Sequence, residues 1–271
     1  YMLVTQGETM GTRRWMPCFD EPAMRATLSL SIRHPSNMVA RSNAPPVKES
    51  GNSGYRTTKF ETTRPISPYL FALSITDYEE KSEDVNGIQV SVVSNKKDLI
   101  DLALSSVKLA VESYFNALSI KATHVFDKMG VESLEHLHIY HHEMMHQYFG
   151  NLITLSWWDE VWINEGLSTV YEIDAVDGIG AIEAVENLRR RRKQHMNHFL
   201  NKLAYKAVTG EDFLSTIREI ADKHYKDHTP QLAYKMTKDF LELPGFPLVK
   251  INRNGRKLEF SQVRFVRGLL D

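Results

Sequence analysis

One pentapeptide constrains this chain more than any other stretch: His142-Glu143-Met144-Met145-His146. On an α-helix, residues four apart share a face, one turn along. His142 and His146 therefore project side by side from a helix, and their ring nitrogens can meet at one point. Zn²⁺ takes nitrogen and oxygen ligands in a tetrahedral array, and such a pair supplies two of them. Glu143 falls on a neighbouring face. From there it can reach a water at the metal without occupying a coordination place, which suits a general base. With 11 histidines in 271 residues, the string arises by accident in about a few per cent of such chains. Its surroundings therefore decide its meaning.

Eighteen residues separate His146 from Glu165, which sits in Asn164-Glu165-Gly166. The run between reads Gln147-Tyr148-Phe149-Gly150-Asn151, then Trp157-Trp158-Asp159-Glu160-Val161-Trp162-Ile163. The segment from His142 to Glu172 resembles the active-site helices of the gluzincin zinc aminopeptidases, the aminopeptidase N and puromycin-sensitive aminopeptidase family. The resemblance implies one Zn²⁺ per chain, held by His142, His146 and Glu165, with Glu143 acting on the water. It also implies peptide substrates, shortened from their N-termini.

The resemblance reaches across most of the chain. Arg13-Arg14-Trp15-Met16-Pro17-Cys18-Phe19-Asp20-Glu21-Pro22-Ala23 is similar to a signature at the end of that family's N-terminal β domain. Just before it stands Thr5-Gln6-Gly7-Glu8. By resemblance, Gln6 and Glu8 reach the active site and contact the first substrate residue and its free amine. A solvated loop carboxylate is the other reading of Glu8. The implied class is α+β. The end of an all-β domain occupies 1–77, a shortened, mostly helical thermolysin-like peptidase domain 78–245, and the start of a β-sandwich domain 246–271.

Local patterns give the elements. Residues 27–32 and 69–75 alternate as strands do, 43–46 and 49–54 read as turns, and the charged run Asp77–Gly87 marks a boundary. A strand is expected at 88–93, a helix over 98–118 and the motif helix over 131–149. On that helix His138 and His142 form an alternative pair four apart, while Met144, Met145 and Phe149 read as packing residues. Ser156-Trp157-Trp158-Asp159 fits a capping box opening the next helix. A zinc-bound imidazole needs a partner for its other nitrogen, and Glu172 or Asp159 is a candidate; a surface carboxylate is the plain reading of each. The basic run 189–193 reads as a solvated helix face. Helical pattern resumes over 199–221, with a break and restart at 209–212. A hairpin is expected over 251–266, turning at 252–255.

Composition excludes several classes. A net charge of −1 gives no pull toward nucleic acid or an anionic membrane. No apolar run approaches the roughly 18 residues of a membrane helix, and no leader peptide is visible in a start that reads as mid-domain sequence. The single cysteine, Cys18, forms no internal disulfide, and no Asn-x-Ser/Thr site occurs. Both fit a reducing compartment but leave localisation and oligomeric state open.

Two parts of the family pattern are missing. The Gly-x-Met-Glu-Asn segment that grips the substrate amine has only a poor counterpart at Gly130-Val131-Glu132-Ser133. The later tyrosine that hydrogen-bonds the oxyanion has none in 178–200, and Tyr205 and Tyr225 match other family positions. A second reading follows: a zinc-binding relative with weak or no catalysis.

Overall fold

The computed structural model describes residues 1–118, 137–176 and 183–265. The chain divides into two compact units, Tyr1–Gly210 and Glu211–Asp271. The first unit begins with β1 (Met2–Val4), β2 (Ser31–Pro35), β3 (Val39–Ser42), β4 (Pro46–Asn52), β5 (Tyr55–Phe60) and β6 (Leu73–Thr76). They form two antiparallel sheets, ordered β1-β6-β3 and β2-β5-β4. Ala40, Phe60, Leu73 and Ile75 make one buried cluster, and Leu28, Ile66 and Phe71 another.

Both expected strands are displaced. The regular ladder starts only at Ser31, because upstream the Leu28 N–H bonds the Thr63 hydroxyl instead of a neighbouring carbonyl. Tyr69 lies in a 3-10 turn, Pro68–Leu70, which delays the strand to Leu73. Residues 49–52 belong to β4, and the β4–β5 turn shrinks to Ser53-Gly54.

Where the charged run suggested a boundary, the chain forms β7 (Glu79–Val85), paired with β8 (Ile88–Ser94). Asn86 and Gly87 take positive φ of 55° and 82° between them, the conformation of a tight hairpin. The charges of β7 are used laterally. Lys81 and Glu83 pair with Asp101 and Lys108 of α1 (Ile100–Leu118), and Val85 and Val90 pack on Leu104, Val107 and Val111.

α2 (Leu137–His146) carries the His142-Glu143-Met144-Met145-His146 motif. It stops at His146, not Phe149; the side chains of His136, His138 and Glu132 lie outside the described residues. After β9 (Thr154–Leu155) comes a 3-10 turn, Trp158–Glu160, then α3 (Trp162–Val176), α4 (Glu183–Leu203) and β10 (Ala207–Val208). The capping box does not form. Ser156 N–H is committed to Val208 O, Trp157 caps the 3-10 turn without a side-chain bond, and α3 starts only at Trp162. The basic run lies within α4. β9 and β10 pair in parallel, Thr154 with Ala207 and Leu155 with Val208. Around this clasp, Tyr205 N–H bonds Leu152 O (2.7 Å) and Thr154 N–H bonds Lys206 O (3.1 Å).

The second unit contains most of α5 (Gly210–His224), then α6 (Thr229–Glu242), β11 (Phe246–Asn254) and β12 (Lys257–Phe265). α4 ends at Leu203 and α5 starts at Gly210, so the helical pattern breaks and restarts there as expected. The hairpin runs from Phe246↔Phe265 to Asn254↔Lys257, longer than expected, with a Gly255-Arg256 turn. Among the described residues, no helix is long and apolar enough to cross a membrane.

Candidate active site

Two helices bring the site together. Met145 and Phe149 are fully buried, which seats the end of α2 and the turn that follows. His142 and His146 then share a face, with ring centroids 4.7 Å apart. α3 buries Ile163, Leu167 and Tyr171, so Glu165 and Glu172 leave a packed helix. His142 Nε2 lies 3.3 Å from Glu165 Oε2, and His146 Nε2 lies 3.7 Å from Glu165 Oε1. All three donor groups lie within 4.8 Å of one another. Ligands about 2.0–2.1 Å from a tetrahedral centre are about 3.3–3.5 Å apart. The spacing and the two-imidazole, one-carboxylate donor set therefore fit Zn²⁺.

The far side of each ring is also held. His142 Nδ1 is 3.0 Å from Glu172 Oε2. His146 Nδ1 is 3.0 Å from Phe149 O and 3.2 Å from Ser168 Oγ. A carbonyl only accepts, so His146 carries its proton on Nδ1 and turns the Nε2 lone pair toward the centre. The hydrogen bond to Glu165 raises the His142 pKa, with Glu172 adding and burial opposing. The same bond lowers the pKa of Glu165. The centre already favours positive charge.

A cavity of about 260 Å³ opens in front of these groups. Glu143 lines it with His142, His146 and Glu165, and Gln6 and Glu8 form part of its other wall. Gly7 makes that approach feasible: a Cβ there would lie 2.2 Å from Tyr69 O. Of the two carboxylates considered for orienting a ligand, Glu172 makes the contact. Asp159 is exposed on the 3-10 turn and meets neither ring.

Several residues here escaped sequence reasoning. Tyr69 Oη donates to Gly150 O (3.2 Å) and accepts from Asn164 Nδ2 (3.1 Å). Arg25 donates to Asn151 O (3.1 Å), Pro65 O (2.8 Å) and Thr154 Oγ1 (2.5 Å). Burial lowers the Arg25 pKa, yet the guanidinium stays charged. Ser168, one turn after Glu165, was within reach of a periodicity argument. Tyr69 and Arg25 were not, since each meets its partner across a long stretch of chain.

Comparison with known proteins agrees with this geometry. The Peptidase M1 N-terminal domain matches residues 1–70, and the Peptidase family M1 domain matches residues 127–192. The chain belongs to the M1 peptidase family. Its M1 relatives include human aminopeptidase Q, 29% identical over 65% of this chain and 22% of the relative. Human endoplasmic reticulum aminopeptidase 1 is 32% identical over 64% of this chain and 22% of its own length. Leucyl aminopeptidase of Saccharolobus solfataricus is 24% identical over 98% of this chain and 44% of that protein. The chain thus spans from about a fifth to under half of these M1 proteins. The last alignment, 353 positions long, exceeds the chain's 271 residues. That fits internal segments missing here.

Proposed function

We propose that this chain is a zinc-dependent M1 peptidase that removes residues from the N-termini of peptides, with low turnover. The observation that carries the reading is the convergence of His142, His146 and Glu165 on one point, with Glu143 in the same cavity. When bound there, zinc supplies Lewis-acid polarisation of the scissile carbonyl and lowers the pKa of water. Glu143 takes the proton from the attacking water and delivers it to the leaving nitrogen. Glu172, Phe149 O and Ser168 hold the two imidazoles in register. Gln6 and Glu8 face the peptide's first residue, and Glu8 pairs with its ammonium; a charge buried there without a partner is costly.

Low turnover follows from what is missing. Tyr69 lines the cavity, but its hydroxyl proton goes to Gly150 O, so it does not replace the family's oxyanion tyrosine. One lost oxyanion donor costs about 2.7–4 kcal/mol. With Glu8 as the amine's one identified carboxylate, less binding energy separates free from blocked peptides.

The test uses zinc-loaded protein, Glu143→Gln, and one peptide in free and acetylated forms. The parent should bind one zinc and cleave the free peptide slowly, with a modest preference over the acetylated one. Glu143→Gln should keep the zinc and lose the hydrolysis. His146→Ala binding as much zinc as the parent would overturn the metal site. A strong preference for the free amine would overturn weak discrimination. Zinc bound with neither peptide cleaved would favour the second reading, a non-catalytic relative, which the committed Tyr69 hydroxyl already supports.

A further inference from the structure

Two of the three metal-facing residues are fixed through their chain neighbours, and both neighbours converge on Tyr69. Glu165 is half exposed, and its carboxylate meets His142 and His146 and nothing else among the described residues. Its position therefore depends on the first turn of α3. Asn164, the residue before it, is buried, and its Nδ2 donates to the Tyr69 hydroxyl. Asn164 Oδ1 has no partner among the described residues, so this is the side-chain amide's one hydrogen bond. On the other side, Phe149 O orients His146, and the next carbonyl, that of Gly150, accepts from the same Tyr69 hydroxyl. Gly150 stands close to Asn164: a Cβ there would lie 3.4 Å from both Asn164 Nδ2 and His146 O. The Tyr69 ring is itself held edge-on against Trp158, 5.1 Å away.

We propose that Tyr69 is a positioning residue for the metal centre: through Asn164 and Gly150 it sets the separation of Glu165 from the histidine pair. A residue from the strand-rich first part of the chain thus completes a site whose donors all come from α2 and α3. The inference rests on the zinc-site reading above. A constellation of this kind must be held to within about 0.5 Å. Among the described residues, the Glu165 carboxylate has no hydrogen bond or ion pair beyond the two imidazoles that could hold it so. Removing the hydroxyl leaves Asn164 Nδ2 buried without an acceptor and leaves the Gly150 carbonyl to Thr154 Oγ1 alone, which cuts the link to α3. Arg25 also anchors this turn, through Asn151 O and Thr154 Oγ1, but among the described residues none of its hydrogen bonds reaches α3. Tyr69 alone among these anchors touches both sides.

The test measures Zn²⁺ affinity by chelator competition, and the visible absorption of the Co²⁺-substituted protein, whose bands report ligand geometry. Tyr69→Phe keeps the ring and should weaken zinc about tenfold, the lower end for groups that orient ligands, and shift the cobalt bands. Asn164→Ala removes the same link from α3 and keeps the question open to test if Tyr69→Phe does not fold. The double variant should be no weaker than the weaker single one. Leu28→Ala, in the core cluster with Ile66 and Phe71 that makes none of these hydrogen bonds, lowers stability and should leave affinity and bands unchanged. Parent-like zinc affinity and cobalt bands in Tyr69→Phe would overturn the proposal. So would losses that multiply in the double variant, or an equal loss in Leu28→Ala. A parent that binds no zinc removes the zinc-site reading as well, which separates the two failures.

Discussion

Residues 146–154 and the β11–β12 hairpin each carry the backbone through a reversal, and they are stabilised in opposite ways. In the first, Phe149, Ile153 and Thr154 are fully buried, and the carbonyls of Phe149, Gly150 and Asn151 bond a histidine ring, two hydroxyls and a guanidinium. In the second, nine residue pairs make the ladder, and every side chain of β11 is exposed. The hairpin is specified by residues adjacent in sequence. The turn after α2 is specified by residues up to 129 positions away. The candidate metal site sits where the distant specification is, because a metal site needs positional accuracy that a short turn does not generate alone.

The widest separation between the two should come from deleting packing. Phe149→Ala should cost about 3–5 kcal/mol in urea unfolding, as buried aromatic truncations do. A loss below about 1 kcal/mol would mean that the turn relaxes as freely as a surface loop. Next, Glu172→Gln keeps the shape of the side chain but weakens its hold on His142 Nδ1. Zinc affinity by chelator competition should fall about 10–100-fold, with metal-free stability nearly unchanged. Retention of full affinity would leave His142 oriented by packing instead.

A smaller effect concerns charge in the metal-free protein. The pKa of His142 is raised above 6.5, so its contribution is full below that value and disappears as pH rises through the folded pKa. The pKa of Glu165 is lowered from 4.5, so its contribution is present above that value and is lost as pH falls through the folded pKa. Chelator-treated protein should therefore exceed Glu165→Gln in melting temperature most clearly between pH 4.5 and 6.5. Both groups are partly exposed, so the difference should stay under about 1 kcal/mol. A flat profile would show that the pair contributes nothing before metal arrives. Smallest of all, Ile251→Thr on the exposed hairpin should stay within about 0.5 kcal/mol. A larger loss would contradict the exposed character of that ribbon.

The same contrast explains what the sequence disclosed. The histidine pair was legible because helical periodicity alone puts His142 and His146 on one face. The β11–β12 hairpin was legible because Asn254-Gly255 lies between two runs of apolar residues. β7 was missed because its charges look like a linker; their partners on α1 become visible only in space. The capping box failed because Ser156 is claimed by Val208, a distant strand. Glu172 could be named as a candidate from its spacing to Glu165, but choosing it over Asp159 needed the fold. Tyr69 and Arg25 left no local trace at all.

The parallel clasp of β9 on β10 has a consequence for how such a chain can change over time. It closes residues 156–206 into a ring whose two ends are tied by backbone hydrogen bonds. Closure entropy depends only weakly on ring size, about 0.6 kcal/mol per doubling. Residues gained or lost between α3 and the buried end of α4, Met196 to Leu203, therefore change the closure term little. They leave the junction at 154–155, and the donors beside it, where they were. A lineage can shorten or lengthen this excursion by whole turns of helix while His142, His146 and Glu165 keep their places.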